Sequence, residues 1–443
     1  MAAALSRLNK MLAELGRVSD EPGRLTRTFL SPAMRRANNL VGSWMREAGL
    51  SVREDAVGNL IGRLEAAGLG GASLDDAGRR RPIAPLHAKT LLLGSHLDTV
   101  RDAGKYDGPL GVLLPIVALA ELKRRGVKLP FAVEVLGFSE EEGVRYASGY
   151  LGSKAYCGKL GARDLALRDA DGLTVRESIA RWSALPSTRS KRLEVKPLHL
   201  KPTHKKSDLL GYLEVHIEQG PVLETHKLAV GVVRAIAGQS RFKLTWTGYA
   251  GHAGTTPMNL RRDAFAGAAE FSMGLEKLAR ATPGLVATIG ALTVSPGAAN
   301  VIPAEAVHTL DVRHARDAVR HAALQKLDRL ATRIAKKRGL QVAWRRTQDN
   351  GAVECAPRLT ALLERSVRAV QGRSLPLVSG AGHDGVVLST LTPVAMLFVR
   401  CRGGLSHHPD EYASPGDLEV ALRVIIDFLE RMSEENRLTT KGH

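Results

Sequence analysis

The sequence predicts an α/β protein whose sheet is mixed but mostly parallel, with a second, α+β domain inserted into it. Two short apolar segments, residues 91–94 (LLLG) and 131–138 (FAVEVLGF), are typical of strands buried in a parallel sheet. A helical pattern at residues 111–125 separates them, and the order strand, helix, strand indicates a right-handed βαβ unit. The chain of 443 residues exceeds what one hydrophobic core usually serves, so we expect two domains.

The segments around this unit carry their own patterns. Apolar residues at helical intervals predict amphipathic helices at residues 1–18 and 32–50. Residues 51–64 alternate in hydrophobicity and predict an edge hairpin. Residues 65–88, rich in Gly, Ala, Asp and Arg, predict a loop. Within the helix of the βαβ unit, Pro115 is expected near the first turn, where its missing N–H is tolerated.

The inserted domain shows a different pattern. A strand running into a loop is predicted at residues 241–254, and two further strands at 284–294 and 306–314. Long helices are predicted at residues 261–280 and 314–337. Two helices over an antiparallel sheet make a compact α+β domain.

The α/β pattern returns after the insertion, with a helix at residues 358–371 and a strand at 393–399. We therefore assign residues 1–232 and 348–443 to a catalytic domain and residues 233–347 to the inserted domain. Because the chain crosses between the two at nearby points, the insertion can act as a hinged lid.

The composition is that of an ordinary globular enzyme, with 44% hydrophobic and 24% charged residues. Three scattered cysteines argue against both a disulfide framework and a cysteine zinc site, and fit a reducing compartment. The helix at residues 1–18 is broken by charged residues, unlike a signal peptide, and no apolar run is long enough to span a membrane. We expect a cytoplasmic protein with no membrane partner.

The net charge of +18 raises nucleic acid as a partner, but basic residues are spread over the whole chain, so no nucleic-acid partner is expected. One dense basic segment exists at residues 189–206. It contains prolines and no apolar period, which predicts a solvated, mobile insertion. A docking arm for a polyanion is the alternative.

Residues with metal-binding chemistry follow the two predicted parallel strands. His96 and Asp98 come just after residues 91–94, and Glu141 and Glu142 just after residues 131–138. The carboxyl ends of such strands meet at one edge of the sheet, where ligands collect. The spacing of two lets Asp98 hold the ring of His96 through one nitrogen while the other binds a metal. A purely structural histidine is an equally good interpretation of this pair alone.

Three further positions complete a ligand set. Asp107 lies in a glycine-flanked turn, where an aspartate by default only bonds its own backbone. His216 and His407 are each, taken alone, more typical of surface or packing histidines. Taken with the residues after the strands, they supply enough imidazole and carboxylate ligands for two divalent ions, Mn, Zn or Co, with an open water position.

Glu141 and Glu142 can have different roles, one as a metal ligand and one as a general base. In an extended chain Glu141 and Glu142 point to opposite sides, so one can bind metal while the other faces the attacking water as general base. The alternative is a solvated loop, since Glu140 makes the acidic run three residues long.

At this point the chain resembles a known group, the metal-dependent amidohydrolases of the M20 peptidase clan, which includes allantoate amidohydrolase, N-carbamoyl-L-amino acid hydrolase and β-ureidopropionase. The resemblance extends over residues 25–412. The segments that carry it are GSHLDTV, GKYDG, SEEEGVRY, EVHIEQGPVLE, GHAGTTPM, GAANVIP, LDVRH, SGAGHDG and GLSHHPDEY. It implies a Zn-exopeptidase-like catalytic domain and a lid that forms a homodimer.

The resemblance also implies roles for single residues. Two metal ions would be bridged by Asp107, with His96 and His216 on different ions, and Glu141 would be the base. His252 would polarise the scissile carbonyl, reaching across the dimer interface, while His408 would be a bystander. The implied metal ligands are His96, Asp107, Glu142, His216 and His407; the implied substrate-binding residues are Gln219, Asn300, Arg313 and His383.

The implied activity is hydrolysis of a ureido or carbamoyl C–N bond in a small anionic substrate. The segments SEEEGVRY and KYDGPLGV favour allantoate, a compound of purine catabolism, as the substrate. N-carbamoyl-L-amino acids are the second candidate. A dipeptidase or aminoacylase of the same clan, and a non-enzymatic polyanion binder, remain as alternatives.

Overall fold

The computed structural model describes residues 1–67, 72–74, 80–82, 89–184 and 201–440. The chain divides into two compact units. The first comprises Met1–Arg234, Cys355–Leu377 and Gly382–His443, and the second comprises Ala235–Glu354 and Val378–Ala381. The domain boundaries predicted from the sequence lie at 232/233 and 347/348. Residues 189–200 of the predicted basic insertion lie outside the described residues.

Helices and strands are numbered in chain order. The helices are α1 (Ala2–Leu15), α2 (Pro32–Ala48), α3 (Pro109–Arg124), α4 (Leu151–Tyr156), α5 (Ala162–Leu165), α6 (Val175–Ala184), α7 (Val222–Thr225), α8 (Ala264–Arg280), α9 (Asp317–Arg338), α10 (Pro357–Gln371), α11 (Asp384–Leu388) and α12 (Pro415–Thr440). The strands are β1 (Ser51–Glu54), β2 (Leu60–Leu64), β3 (Ala72–Leu74), β4 (Arg80–Pro82), β5 (Thr90–His96), β6 (Ala132–Phe138), β7 (Leu209–Ile217), β8 (Val230–Ile236), β9 (Gly238–Thr247), β10 (Val286–Thr288), β11 (Leu292–Ser295), β12 (Glu305–His314), β13 (Gln341–Asn350), β14 (Val353–Glu354), β15 (Pro376–Ser379) and β16 (Val394–Val399).

The sheet of the first unit runs in the order β1-β2-β6-β5-β7-β16-β8. Its centre is parallel, because β5 pairs in parallel with both β6 and β7, and β16 pairs in parallel with β7. Its flanks are antiparallel, including the predicted β1–β2 hairpin. The chain segment β5-α3-β6 is the predicted βαβ unit. The predicted fold class is confirmed.

Helix α3 is the central helix of this unit. It is apolar on every side, and nearly all its residues are buried. It packs against the parallel strands and against α1, α2 and α12. Burying side chains such as Leu113 and Ile116 stabilises the fold by about 1.5–3 kcal/mol each. The expectation that Pro115 lies near the first turn is wrong, because the helix begins at Pro109 and contains Pro115 in its interior.

The second unit is an antiparallel sheet in the order β10-β12-β9-β13, with β11 also paired to β12. Helices α8 and α9 pack against the sheet and bury Trp246, Phe271 and Leu327. The α+β prediction is confirmed here, but residues 284–294 hold two short strands instead of one. Between the two strands the register against β12 shifts by one residue, from Thr288 opposite Asp311 to Leu292 opposite His308.

Further differences from the prediction concern secondary structure. The loop predicted at residues 65–88 contains an antiparallel pair, β3 and β4. The elements that were not predicted are the strands β7, β8, β13, β14 and β15 and the helices α4, α5, α6, α7, α11 and α12. Among the helices of the described residues, none is both long enough and apolar enough to cross a membrane.

Candidate metal centre

Four neighbouring parallel strands bring the predicted metal-binding residues to one edge of the sheet. The strands β6, β5, β7 and β16 are adjacent in that order, and their carboxyl ends lie together. The residues are His96 at the end of β5, His216 near the end of β7, Glu141 and Glu142 after β6, His407 after β16, and Asp107 just before α3. The predicted convergence at the strand ends is therefore present in the structure.

The side chains form three overlapping groups whose ligand atoms all lie within 4.8 Å of one another. The groups are His96 with Asp107 and His216, His96 with Glu141 and Glu142, and Asp107 with Glu142 and His407. His96, Asp107 and Glu142 each belong to two groups, and Asp107 is the carboxylate that joins the group of His216 to the group of His407. His96 and His216 lie in one group, whereas the resemblance assigned them to different ions. The reason is that β5 and β7 are adjacent strands whose ends face each other.

In the group of His96, Asp107 and His216, the facing nitrogen and oxygen atoms are suited to bind a cation and do not hydrogen-bond one another. His216 Nδ1 lies 2.9 Å from the carbonyl oxygen of Ile217, which can only accept, so Nδ1 carries the hydrogen. His216 Nε2 lies 3.0 Å from Asp107 Oδ1. Even so, that buried oxygen makes no hydrogen bond within the part of the chain that the structure describes. An orphaned buried oxygen facing an imidazole nitrogen is what a metal ion between them would resolve.

His96 approaches the same oxygen from the other side. Its Nδ1 bonds the carbonyl oxygen of Asp98 at 3.0 Å, and its Nε2 lies 3.9 Å from Asp107 Oδ1. Gly108 makes this approach possible, since it has a φ of 81° and a Cβ there would lie 2.4 Å from the His96 ring. Only glycine satisfies both conditions without strain.

The group of Asp107, Glu142 and His407 is less buried than the group of His96, Asp107 and His216. His407 Nε2 lies 3.1 Å from Asp107 Oδ2 and 3.4 Å from Glu142 Oε1. The bond to Asp107 raises the pKa of His407 to about 9, and burial together with the charge of Asp107 raises the pKa of Glu142 to about 7. Both shifts show surroundings that favour additional positive charge, which divalent cations supply.

Glu141 lies beside these groups with its carboxylate in the same cluster. Burial raises the pKa of Glu141 well above its ordinary value, assisted by Glu142 and opposed by His96. The expectation that Glu141 and Glu142 point to opposite sides is wrong, because both have an oxygen within 4.8 Å of a His96 nitrogen. The segment is bent, not extended, since both backbone N–H groups point to the carboxylate of Asp98.

The interpretation of this acidic run as a solvated loop is also wrong. Glu140 is fully buried, and its Oε1 accepts a hydrogen bond from the N–H of Gly143 at 2.6 Å. Glu141 and Glu142 are themselves partly buried. The run is part of the site.

Two of the predicted substrate residues adjoin the metal groups. The amide nitrogen of Gln219 donates to Asp107 Oδ2 at 3.1 Å, and Gln219 has a left-handed φ of 56°. His383 packs edge-on against His216 with ring centroids 4.5 Å apart. Burial, together with the charge of His216, holds the pKa of His383 well below its ordinary value, so His383 is neutral.

The predicted catalytic residue His252 and the predicted substrate-binding residues Asn300 and Arg313 belong to the second unit. The N–H of Ala253 donates to the carbonyl of Asn300 at 2.9 Å, so the segments that carry His252 and Asn300 run side by side. Arg313 donates from Nε and Nη2 to Asp311 and from Nη1 to the carbonyl of Gly380 at 2.6 Å.

His408 is exposed and lies outside the metal groups. Its Nδ1 accepts a hydrogen bond from the N–H of Asp410. Two residues of the site were missed by the sequence analysis, Ser406 and Glu411. Ser406 Oγ lies 2.9 Å from Asp107 Oδ2, and Glu411 bonds the backbone of Asp107. Both belong to the segment GLSHHPDEY, and that proximity to His407 was the available signal.

A cluster of imidazoles and carboxylates at the carboxyl edge of an α/β sheet, with a further glutamate beside it, defines the class of metal-dependent hydrolases. Comparison with known proteins supports this class. Residues 92–431 match the model of peptidase family M20/M25/M40, and the chain belongs to that family. The predicted family and the assignment as a hydrolase are confirmed. The family is metal-dependent, and His96, Asp107 and His216 are candidate ligands.

Relatives along nearly the whole chain include allantoate deiminases and N-carbamoyl-L-amino acid amidohydrolases. Allantoate deiminase 2 of Glycine max is 38% identical over 451 residues, which cover 95% of this chain and 88% of that protein. N-carbamoyl-L-amino acid amidohydrolase of Geobacillus stearothermophilus is 39% identical over 420 residues, covering 95% and 96%. The crystal structure of an amidase of the hydantoinase/carbamoylase family from Burkholderia multivorans has a TM-score of 0.83 at 29% identity, covering 96% and 97%.

Proposed function

We propose that the chain hydrolyses a ureido C–N bond of allantoate, yielding ureidoglycine or ureidoglycolate, ammonia and carbon dioxide. The observation that carries the proposal is the placement of Asp107 between two groups of ligand atoms. Such sharing is the arrangement of two-metal hydrolases, in which one carboxylate spans two ions about 3.5–4 Å apart.

The proposed ligands divide according to the groups in the structure. His96, Asp107 and His216 would hold one divalent ion, and Asp107, Glu142 and His407 the other. Mn, Zn and Co suit this mixture of nitrogen and oxygen ligands. When bound, such ions supply electrophilic polarisation of the substrate carbonyl and lower the pKa of water at the site.

Glu141 is the proposed general base and acid. Its carboxylate accepts a proton from the attacking water and then delivers it to the leaving nitrogen. Two observations support this role. Asp98 accepts a hydrogen bond from the backbone N–H of Glu141, and an oxygen of Glu141 lies within 4.8 Å of a His96 nitrogen and of a Glu142 oxygen.

His252 is the proposed donor to the oxygen of the scissile carbonyl, contributed by the second subunit of a homodimer. Its Nδ1 accepts a hydrogen bond from the N–H of Gly254 at 3.0 Å, so the ring hydrogen lies on Nε2. That tautomer can donate to a developing oxyanion. Dimerisation through the second unit is supported by the apolar side chains of Phe265 and Met273, which α8 exposes.

The substrate carboxylate is the proposed ligand of Arg313, and Gln219, Asn300 and His383 are the other proposed substrate-binding residues. Asp311 accepts from Nε and Nη2 of Arg313 and the Gly380 carbonyl accepts from Nη1, which fixes the guanidinium and leaves one N–H on each of Nη1 and Nη2 for a carboxylate. In this geometry Asp311 orients the guanidinium and does not compete for the end that binds substrate.

Hydrolysis of N-carbamoyl-L-amino acids is the second candidate, because a relative of that name is as similar to the chain as those named allantoate deiminase. The test is to load purified protein with Mn, Zn or Co separately and to measure ammonia release from allantoate and from a panel of N-carbamoyl-L-amino acids. We expect the highest kcat/KM with allantoate. Higher values with an N-carbamoyl amino acid would favour the second candidate, and cleavage of dipeptides alone would contradict both.

We also propose that the protein works in the cytoplasm. Cys157 and Cys401 are buried free thiols, as suits a reducing compartment.

A further inference from the structure

Glu411 links two loops that are remote in sequence and that both carry proposed metal ligands. It is only 4% exposed. Its Oε1 accepts hydrogen bonds from the backbone N–H groups of Tyr106 at 2.9 Å and of Asp107 at 3.0 Å. Its Oε2 accepts from Ser406 Oγ at 3.1 Å. One buried carboxylate therefore holds the turn of Asp107 and the loop that carries His407.

Ser406 extends this link to the side chain of Asp107. Its Oγ lies 2.9 Å from Asp107 Oδ2 and 3.1 Å from Glu411 Oε2. A serine hydroxyl has a single hydrogen, so the two carboxylates share one donor.

The turn is packed directly on Glu411. A Cβ added at Gly104 would lie 2.3 Å from the Cβ of Glu411. Glu411 thus fills the space under the turn in addition to bonding its backbone. Since Glu411 fixes both the backbone and, through Ser406, the carboxylate of Asp107, its loss leaves the shared ligand free to move.

We propose that Glu411 is a positioning residue that, through Ser406, holds Asp107 in the orientation needed to bind metal. It acts through Asp107 and not on the substrate. The inference rests on the proposed metal site but not on the identity of the substrate. Partners of this kind around a ligand typically contribute 10–100-fold to metal affinity.

The test is to measure the affinity and stoichiometry of Mn²⁺ binding by electron paramagnetic resonance, with Mn²⁺ alone and no substrate. We expect Glu411→Ala to weaken Mn²⁺ binding by about 10–100-fold. Glu411→Gln should weaken it less, because the amide oxygen can still accept from both backbone N–H groups. Ser406→Ala should also weaken it, since Asp107 Oδ2 loses its hydroxyl donor.

The matched control is Asp317→Asn in the second unit. Asp317 Oδ1 also accepts a backbone N–H, that of Ala352 at 3.0 Å, and an Arg320 N–H at 2.9 Å. This variant should bind Mn²⁺ as the wild type does. Thermal unfolding of each variant separates a loss of folding from a loss of metal affinity.

A folded Glu411→Ala variant with wild-type Mn²⁺ affinity would overturn the proposal. If that variant does not fold, wild-type affinity in both Glu411→Gln and Ser406→Ala would do the same. The outcome is independent of the substrate assignment. Weaker Mn²⁺ binding by the Glu411 variants, combined with no turnover of allantoate by the Mn²⁺-loaded wild type, would contradict the proposed function and leave the role of Glu411 intact.

Discussion

The carboxylate of Asp98 accepts a hydrogen bond from the backbone N–H of Glu141 at 3.0 Å. The same carboxylate accepts from the N–H of Glu142 at 3.1 Å, and its Oδ1 lies 3.4 Å from His96 Nδ1. Asp98 is almost fully buried. It therefore joins the end of β5 to the end of β6 and sets the bend that places both glutamates beside His96.

Replacing Asp98 with Asn should lower kcat by about 10–100-fold, the usual effect of losing a partner that orients a ligand. The amide nitrogen of Asn cannot accept from the backbone N–H groups, so the bend of the glutamate segment loosens. The measurement is steady-state kinetics on allantoate, with circular dichroism to confirm folding. Asp102→Asn is the control, because Asp102 lies in the same segment and its side chain is 44% exposed. Equal activity of the two variants would contradict the role of Asp98.

Two variants, Glu141→Gln and Glu142→Gln, test which glutamate is the general base and which is a metal ligand. Glu141→Gln should lower kcat by about 10²–10⁴-fold while the bound metal is retained, because the amide cannot carry the proton. Glu142→Gln should instead lower metal content, since a carboxylate that faces His407 is lost. The measurements are kcat and metal content of the same samples. The assignment fails if Glu141→Gln loses metal, or if it retains metal and keeps the wild-type kcat.

Arg313→Ala should raise KM for allantoate and for N-carbamoyl amino acids alike, because both carry the carboxylate that Arg313 is proposed to bind. The matched control is Arg241→Ala, since Arg241 bonds the same Asp311 at 2.8 Å. That variant should leave KM close to the wild-type value. An unchanged KM in Arg313→Ala would remove Arg313 from the substrate site.

The parts of the site that lie on regular elements could be predicted from the sequence. LLLG and FAVEVLGF mark parallel strands, and their carboxyl ends fix where His96, Asp98 and the glutamates lie. Gln219 and Asp107 could be nominated, but their contact at 3.1 Å joins residues 112 apart along the chain. No local pattern encodes such a contact.

Other features follow from tertiary packing and could not be predicted. The bend at Glu141 and Glu142 depends on Asp98, and the burial of Glu140 depends on the fold around it. Strand β13 escaped prediction because it is an edge strand rich in charged and polar residues and lacks a clear apolar alternation. Ser406 and Glu411 act on a turn that precedes them by some three hundred residues.

Glu134 should make the fold sensitive to acid. Burial acts to raise the pKa of Glu134, but His204 and Arg53 oppose it and hold the pKa at about 2, below the ordinary value of 4.5. Because the pKa is lower in the folded state, the stabilisation is present above about pH 4.5 and is lost as the pH falls from 4.5 to about 2. It amounts to at most about 3 kcal/mol.

Glu134→Gln should therefore have a lower free energy of unfolding than the wild type at pH 6, and this difference should shrink between pH 4.5 and 2. Urea unfolding at several pH values measures it. Glu65→Gln is the control, because Glu65 bonds Arg63, which also contacts Glu134, but is largely exposed. A difference that stays constant with pH would contradict the assigned pKa.

Anomalous X-ray scattering from crystals grown with Mn²⁺ locates each bound ion and so shows whether Asp107 is shared by two of them. We expect two anomalous peaks. One should lie among His96, Asp107 and His216, and the other among Asp107, Glu142 and His407. Peaks remote from Asp107, or no peak among these residues at saturating Mn²⁺, would contradict this expectation.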